Sequence, residues 1–245
     1  LDITIGNLKN HWSLGELIFY VENGLVSEEY CSCGKKVIEC EFWGSVTKNW
    51  NEVRKLDNQQ FIKIQSDLLR NKRLLINIWF NKFPKTEHLD YTHDLNALYT
   101  LLFEYSKAQV LIDSSKNAQY IKQLKKLPFN LTVLQVTRSF SGVLNSTKKE
   151  FKINPSEGVE RELRPQPFVY TLAIWLIDNF FTWFFSFGTH YKRIKYEDFV
   201  TNPLATLSEF ENLNEADTEK IKNRGPFSAL HLVAGNKLRM SQTIM

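Results

Sequence analysis

A chain of 245 residues, 43% hydrophobic and 24% charged, is long and apolar enough for one α/β domain with a sizeable core and shows no second domain. Its formal net charge of +4, with lysines scattered among acidic residues, excludes a nucleic-acid-binding stripe and suits an anionic small-molecule partner. No internal repeat, low-complexity tract or Pro/Gly/Ser linker breaks the chain.

In chain order, Leu8 to about Leu14 reads as the end of a helix that enters a short strand-like segment at Gly15-Glu16-Leu17. Three cysteines follow in the pattern CxCGxxxxxC, from Cys31 to Cys40. Reduced buried thiols, one disulfide with a free thiol, and a zinc site lacking an identified fourth ligand are all open; His11 is the nearest upstream histidine. Val46, Trp50, Val53, Phe61, Ile64 and Leu68 recur near helical spacing and place one or two helices between residues 45 and 71. Asp94 is suited to cap a helix containing Leu95, Leu98, Leu102 and Tyr105.

Val110 to Ile112 and Leu131 to Val136 are short β-branched runs with helical sequence between them, the pattern of buried parallel strands. The apolar run from Tyr170 to Phe187 is interrupted by Asp178 and Asn179, costly groups in hydrocarbon, so it reads as a buried core helix rather than a membrane span. A strand around Arg193 to Lys195 precedes a turn at Tyr196-Glu197-Asp198, and Pro203 is placed to open the next helix. Alternation of these elements predicts a parallel sheet wrapped by helices on both faces.

The chemistry concentrates where the strands end, because ligands of open α/β sheets gather at strand carboxyl ends. Ser114, Ser115 and Lys116 follow the first β-branched run; Thr137 and Arg138 end the second. Gly142 is expected in the bend before a helix whose early turns carry Ser146, so a guanidinium and a hydroxyl could close on one phosphate.

Arg138 with Ser146 eight positions later resembles the 3′-phosphate motif of the sulfotransferases that use 3′-phosphoadenosine 5′-phosphosulfate (PAPS). Gly15-Glu16-Leu17, Cys31-Ser32-Cys33-Gly34 and Cys40-Glu41-Phe42-Trp43 resemble the GEL…CxCG…CPFW region of the bacterial branch. Tyr196-Glu197-Asp198 with Asn202-Pro203 is similar to the family's YEDL…P element, and His231 with Gly235-Asn236-Lys237-Leu238-Arg239 to its H…GNPxR segment. The resemblance spans almost the whole chain. It implies a three-layer, P-loop-like α/β fold with a central parallel sheet flanked by helices, as one domain over residues 1–245.

The resemblance further implies PAPS as cosubstrate, 3′-phosphoadenosine 5′-phosphate (PAP) as product, a carbohydrate, lipid or small-molecule hydroxyl as acceptor, and no required metal. It assigns Glu16 as general base, with His11 and His231 as runners-up, and Lys116 with Ser115 at the phosphosulfate. Ser114 joins them at the strand end, and Asn236 and Arg239 belong to a segment folding over the 3′-phosphate side. Asp113 is expected to fix its loop by accepting backbone hydrogen bonds. The bland alternative for Glu16 is a helix-cap or surface carboxylate. The family's PRSGTT-type loop does not occur in the sequence, which leads to the expectation that the chain is trimmed at both ends. A cytoplasmic location is expected. The competing functions are a P-loop kinase using ATP and a non-catalytic nucleotide-binding module.

Overall fold

The computed structural model describes residues 1–69, 85–148, 165–235, 237–241 and 243–244. Its first helix is short, α1 (Asp2–Gly6), and the chain is already extended in β1 (His11–Gly15), where the sequence pattern suggested a helix end. The cause lies at Asn10, which adopts a left-handed φ of 62°. Its carbonyl accepts hydrogen bonds from Gln109 N at 2.8 Å and Val110 N at 3.1 Å, so pairing with a distant segment begins there.

A 3₁₀ turn (Leu17–Phe19) and a π-helical stretch (Tyr20–Val26) lead through the cysteine region into α2 (Glu41–Val53) and α3 (Asn58–Leu69), matching the helices expected between residues 45 and 71. Then come α4 (Lys85–Ser106), β2 (Val110–Asp113), α5 (Ala118–Leu124), β3 (Thr132–Thr137), α6 (Phe140–Thr147), α7 (Phe168–Phe185), β4 (His190–Lys195), α8 (Tyr196–Thr201), α9 (Pro203–Ser208), α10 (Glu215–Lys222), β5 (Phe227–Ser228) and β6 (Thr243–Ile244). Pro203 opens α9 as expected, with the Asn202 side chain accepting from Ala205 N at 3.1 Å. The Tyr196-Glu197-Asp198 stretch is the first turn of α8.

The protein is thus mixed helix and strand, with short parallel pairs flanked by helices. β1 runs parallel to β2, from His11 opposite Val110 to Gly15 opposite Asp113. β3 runs parallel to β4, from Thr132 opposite His190 to Thr137 opposite Lys195. Both strands expected from β-branched runs therefore form, each paired with a different partner.

The main core lies among α2, α3, α4 and the π-helical stretch, where Trp43, Trp50, Tyr20, Tyr91, Leu95, Leu98 and Leu102 are buried. Both tryptophans keep their polar edge satisfied: Trp50 Nε1 donates to Asp94 O at 2.8 Å and Trp43 Nε1 to His231 O at 2.6 Å. Asp94 does not begin a helix, because α4 starts nine residues earlier at Lys85. Its carboxylate is fully buried and caps a different segment, accepting from Lys55 N at 2.8 Å and Leu56 N at 2.9 Å where α2 hands over to α3. Asp94→Ala leaves both amides without their acceptor and should cost about 3 kcal/mol in urea unfolding; a loss within about 0.5 kcal/mol would show that water replaces the carboxylate.

Helix α7 departs from the buried core helix expected of this run. Only Thr171 and Phe185 are buried in it, while Val169 is 75% exposed and Phe168, Tyr170, Leu176, Phe180, Trp183 and Phe184 also face outward. Apolar residues surround this helix on every side, but among the described residues β3, β4 and α5 cover one stripe, in which Phe181 and Phe185 meet Ile121, Val133 and Tyr191, and α6 adds Phe140 against Phe168 and Trp175. Asn179, the expected interruption, points at that covered side and takes a hydrogen bond from Gln135 Nε2 at 3.0 Å on Oδ1. By length and composition alone the helix could cross a membrane, with a mean hydropathy of 1.4 over 18 residues.

Candidate active site at the strand ends

Glu16 leaves the end of β1 through Gly15, whose φ is 80°. A Cβ on Gly15 would stand 2.2 Å from Val233 O, so glycine is what lets a late segment of the chain lie against this strand. Glu16 N donates to Val233 O at 2.8 Å, and Val233 N to Leu14 O at 2.9 Å. The Glu16 side chain is 10% exposed and its Oε1 meets Lys116 Nζ at 2.5 Å. Gly235 closes the other side, where an added Cβ would lie 3.4 Å from Glu16 Oε1.

Lys116 reaches Glu16 from a loop that Asp113 holds at the end of β2, as expected of that residue. Asp113 Oδ1 accepts from Ser115 N at 2.9 Å, Ser115 Oγ at 2.5 Å and Leu17 N at 3.3 Å, while Oδ2 accepts from Tyr99 Oη at 2.6 Å. Burial pushes the Asp113 carboxyl above its ordinary range, and the Ser115 and Tyr99 hydrogen bonds oppose that push. Ser115 Oγ also accepts from Ile18 N at 3.0 Å, and Ser114 N donates to Gly15 O at 2.8 Å. In this structure both serines therefore brace the loop against the segment after β1. The Lys116 side chain is left 73% exposed beside a carboxylate that is 10% exposed.

At the end of β3, the exposed Arg138 guanidinium lies 5.0 Å from the ring centroid of Tyr196, which begins α8. Gly142 is not in a bend before α6 but is its third residue. Its role is steric, since a Cβ there would stand 2.8 Å from Arg138 Nε. Ser139 caps α6, its Oγ accepting from Gly142 N at 3.4 Å, and its own N donates to Glu197 Oε1 at 3.0 Å. That backbone hydrogen bond, ahead of the nearby Arg138 charge, holds the Glu197 carboxyl below its usual range. Ser146 is exposed in the last turn of α6, later in the helix than expected.

Asn236 falls outside the described residues. Arg239 is 2% exposed and donates from Nη1 to Tyr30 O at 3.1 Å, anchoring the segment after Gly235 to the cysteine region. His11 has Nδ1 2.8 Å from Lys9 O and Nε2 3.3 Å from Glu211 Oε2. Burial depresses the basicity of His11, but the Glu211 carboxylate and the Lys9 carbonyl outweigh it and raise its pKa overall. The His231 ring is turned toward thiols, with Nδ1 3.1 Å from Cys40 Sγ and 3.9 Å from Cys31 Sγ. No family model matches this chain, and neither does any curated protein or solved structure.

Proposed function

We propose that this protein is a PAPS-dependent sulfotransferase that moves a sulfuryl group to a hydroxyl of a carbohydrate, lipid or small molecule and releases PAP. The observation that carries this reading is the 2.5 Å pairing of Glu16 with Lys116 at the carboxyl ends of two adjacent parallel strands. Sulfuryl transfer needs a base on the acceptor side and a cation on the leaving-group side. As the acceptor oxygen bonds to sulfur, its proton passes to the Glu16 carboxylate. The bond from sulfur to the bridging phosphate oxygen breaks, and its electron pair stays on that oxygen, where the Lys116 ammonium stabilises it. The 73% exposure of Lys116 leaves it free to turn from Glu16 to the nucleotide, whereas Glu16, at 10%, stays in place. Arg138 and Ser146 take the 3′-phosphate, and Ser114 and Ser115 hold the loop from which Lys116 projects. The two parallel pairs belong, on this reading, to one P-loop-like central sheet, in a protein of the cytoplasm.

Calorimetric titration of the full-length protein tests the proposal. PAP should bind without Mg²⁺, and at least about tenfold more tightly than adenosine 5′-phosphosulfate, which lacks the 3′-phosphate. Binding of Mg²⁺-ATP with no detectable affinity for PAP would overturn it in favour of a kinase.

A further inference from the structure

The structure brings the three cysteines of the chain and His231 into one cluster, their ligand atoms all within 4.8 Å of one another. We infer that Cys31, Cys33, Cys40 and His231 form a structural zinc site that fastens the segment carrying Val233 and Gly235 onto the end of β1. Tetrahedral zinc, with about 2.3 Å to sulfur and about 2.0 Å to nitrogen, holds these ligand atoms roughly 3.5–3.8 Å apart, so shifts on the order of 1 Å close the shell. Four protein donors fill that shell. They leave no position for water or substrate, which marks a structural centre rather than a catalytic one.

Local structure around each donor fits this role. Gly34, at φ 85° with open space where a Cβ would be, turns the chain back immediately after Cys33, and its N donates to Cys31 O at 2.9 Å. Cys31 N donates to Lys35 O at 2.8 Å, completing a tight knuckle that aims two sulfurs the same way. Cys40 stands at the N-cap of α2. His231 sits at a left-handed φ of 55°, its ring stacked 5.5 Å from Phe42, and its carbonyl is held by Trp43 Nε1 at 2.6 Å. Such outer contacts fix the orientation of a ligating imidazole.

A backbone clasp runs beside the cluster, with Ser32 N donating to Leu232 O at 3.1 Å and Leu232 N to Ser32 Oγ at 2.8 Å. The next residues are those that bond β1 and flank Glu16. Zinc binding releases the thiol protons to solvent and leaves a formal charge of −1 on the Cys₃His centre. The inference is independent of the sulfotransferase reading, since metal content is measured with no nucleotide present.

Elemental analysis of full-length protein prepared without a metal-affinity resin should find about one zinc per chain, and cobalt substitution should give the thiolate-to-metal charge-transfer bands of a tetrahedral site. Because every cysteine of the chain lies in the cluster, a thiol reagent should react slowly with the loaded protein and with three groups once a chelator is added. Cys33→Ser should weaken zinc binding at least about a hundredfold, and His231→Cys should retain the metal. If either variant fails to fold, the wild-type metal count and thiol kinetics decide. A folded wild-type chain that takes up no added zinc while its thiols react freely overturns the site.

Discussion

On the proposed sulfotransferase reading, Glu16→Gln should lower the turnover number by about 10²–10⁴ while leaving PAP affinity nearly unchanged. The amide keeps the shape of the side chain and its contact with Gly235 but cannot take the acceptor proton. Loss of the ion pair with Lys116 is a small term for stability, because the lysine is 73% exposed and its charge is well solvated without a partner. Single-turnover rates measured beside calorimetric PAP binding separate the two quantities. A substituted enzyme that folds normally and keeps most of its turnover would remove Glu16 from the reaction. The runner-up histidines are then poor replacements, since His11 is engaged by Glu211 and His231 faces Cys31 and Cys40.

If Arg138 takes the 3′-phosphate as proposed, Arg138→Ala should weaken PAP binding by more than about tenfold, the equivalent of roughly 2–3 kcal/mol for a lost charged partner, with little effect on adenosine 5′-phosphosulfate. The guanidinium is exposed and placed by the Tyr196 ring and by the space over Gly142, so its removal leaves no buried group unsatisfied. Unchanged melting temperature therefore distinguishes loss of a ligand contact from loss of structure. Equal losses of affinity for both nucleotides would exclude a clamp specific to the 3′-phosphate.

The elements that carry these candidate residues were legible where the signal is local. β-branched runs located β2 and β3 to within a residue or two, and the polar residues after them mark the carboxyl ends whatever the pairing. Pairing itself was not legible. β1 carries Trp12 and Leu14 among polar residues, a pattern equally compatible with helix, and it becomes a strand because Asn10 and Gly15 accept partners far along the chain. Asp94 shows the same limit: its residue type suggests a cap, but the amides it caps lie at Lys55 and Leu56. In α7 the apolar run was correctly helical, yet burial depends on how many neighbours reach it, and among the described residues they leave much of its apolar surface exposed. The cysteine spacing revealed three donors, whereas the fourth, His231, is brought in by tertiary contacts about which spacing is silent.

The clasp between Ser32 and Leu232 joins positions 200 residues apart. During synthesis the ribosome delivers Glu16 long before Val233 and Gly235, so the carboxylate must wait, incompletely walled, until nearly all the described chain has emerged. Closing so long a loop is entropically slow compared with forming the local α2–α3 pair. The helical core can condense early, and the wall that Val233 and Gly235 build beside Glu16 is expected to assemble last. Nascent chains halted before Leu232 should therefore hold native-like helices around Trp43 and Trp50 while the end of β1 stays accessible to proteases and chaperones.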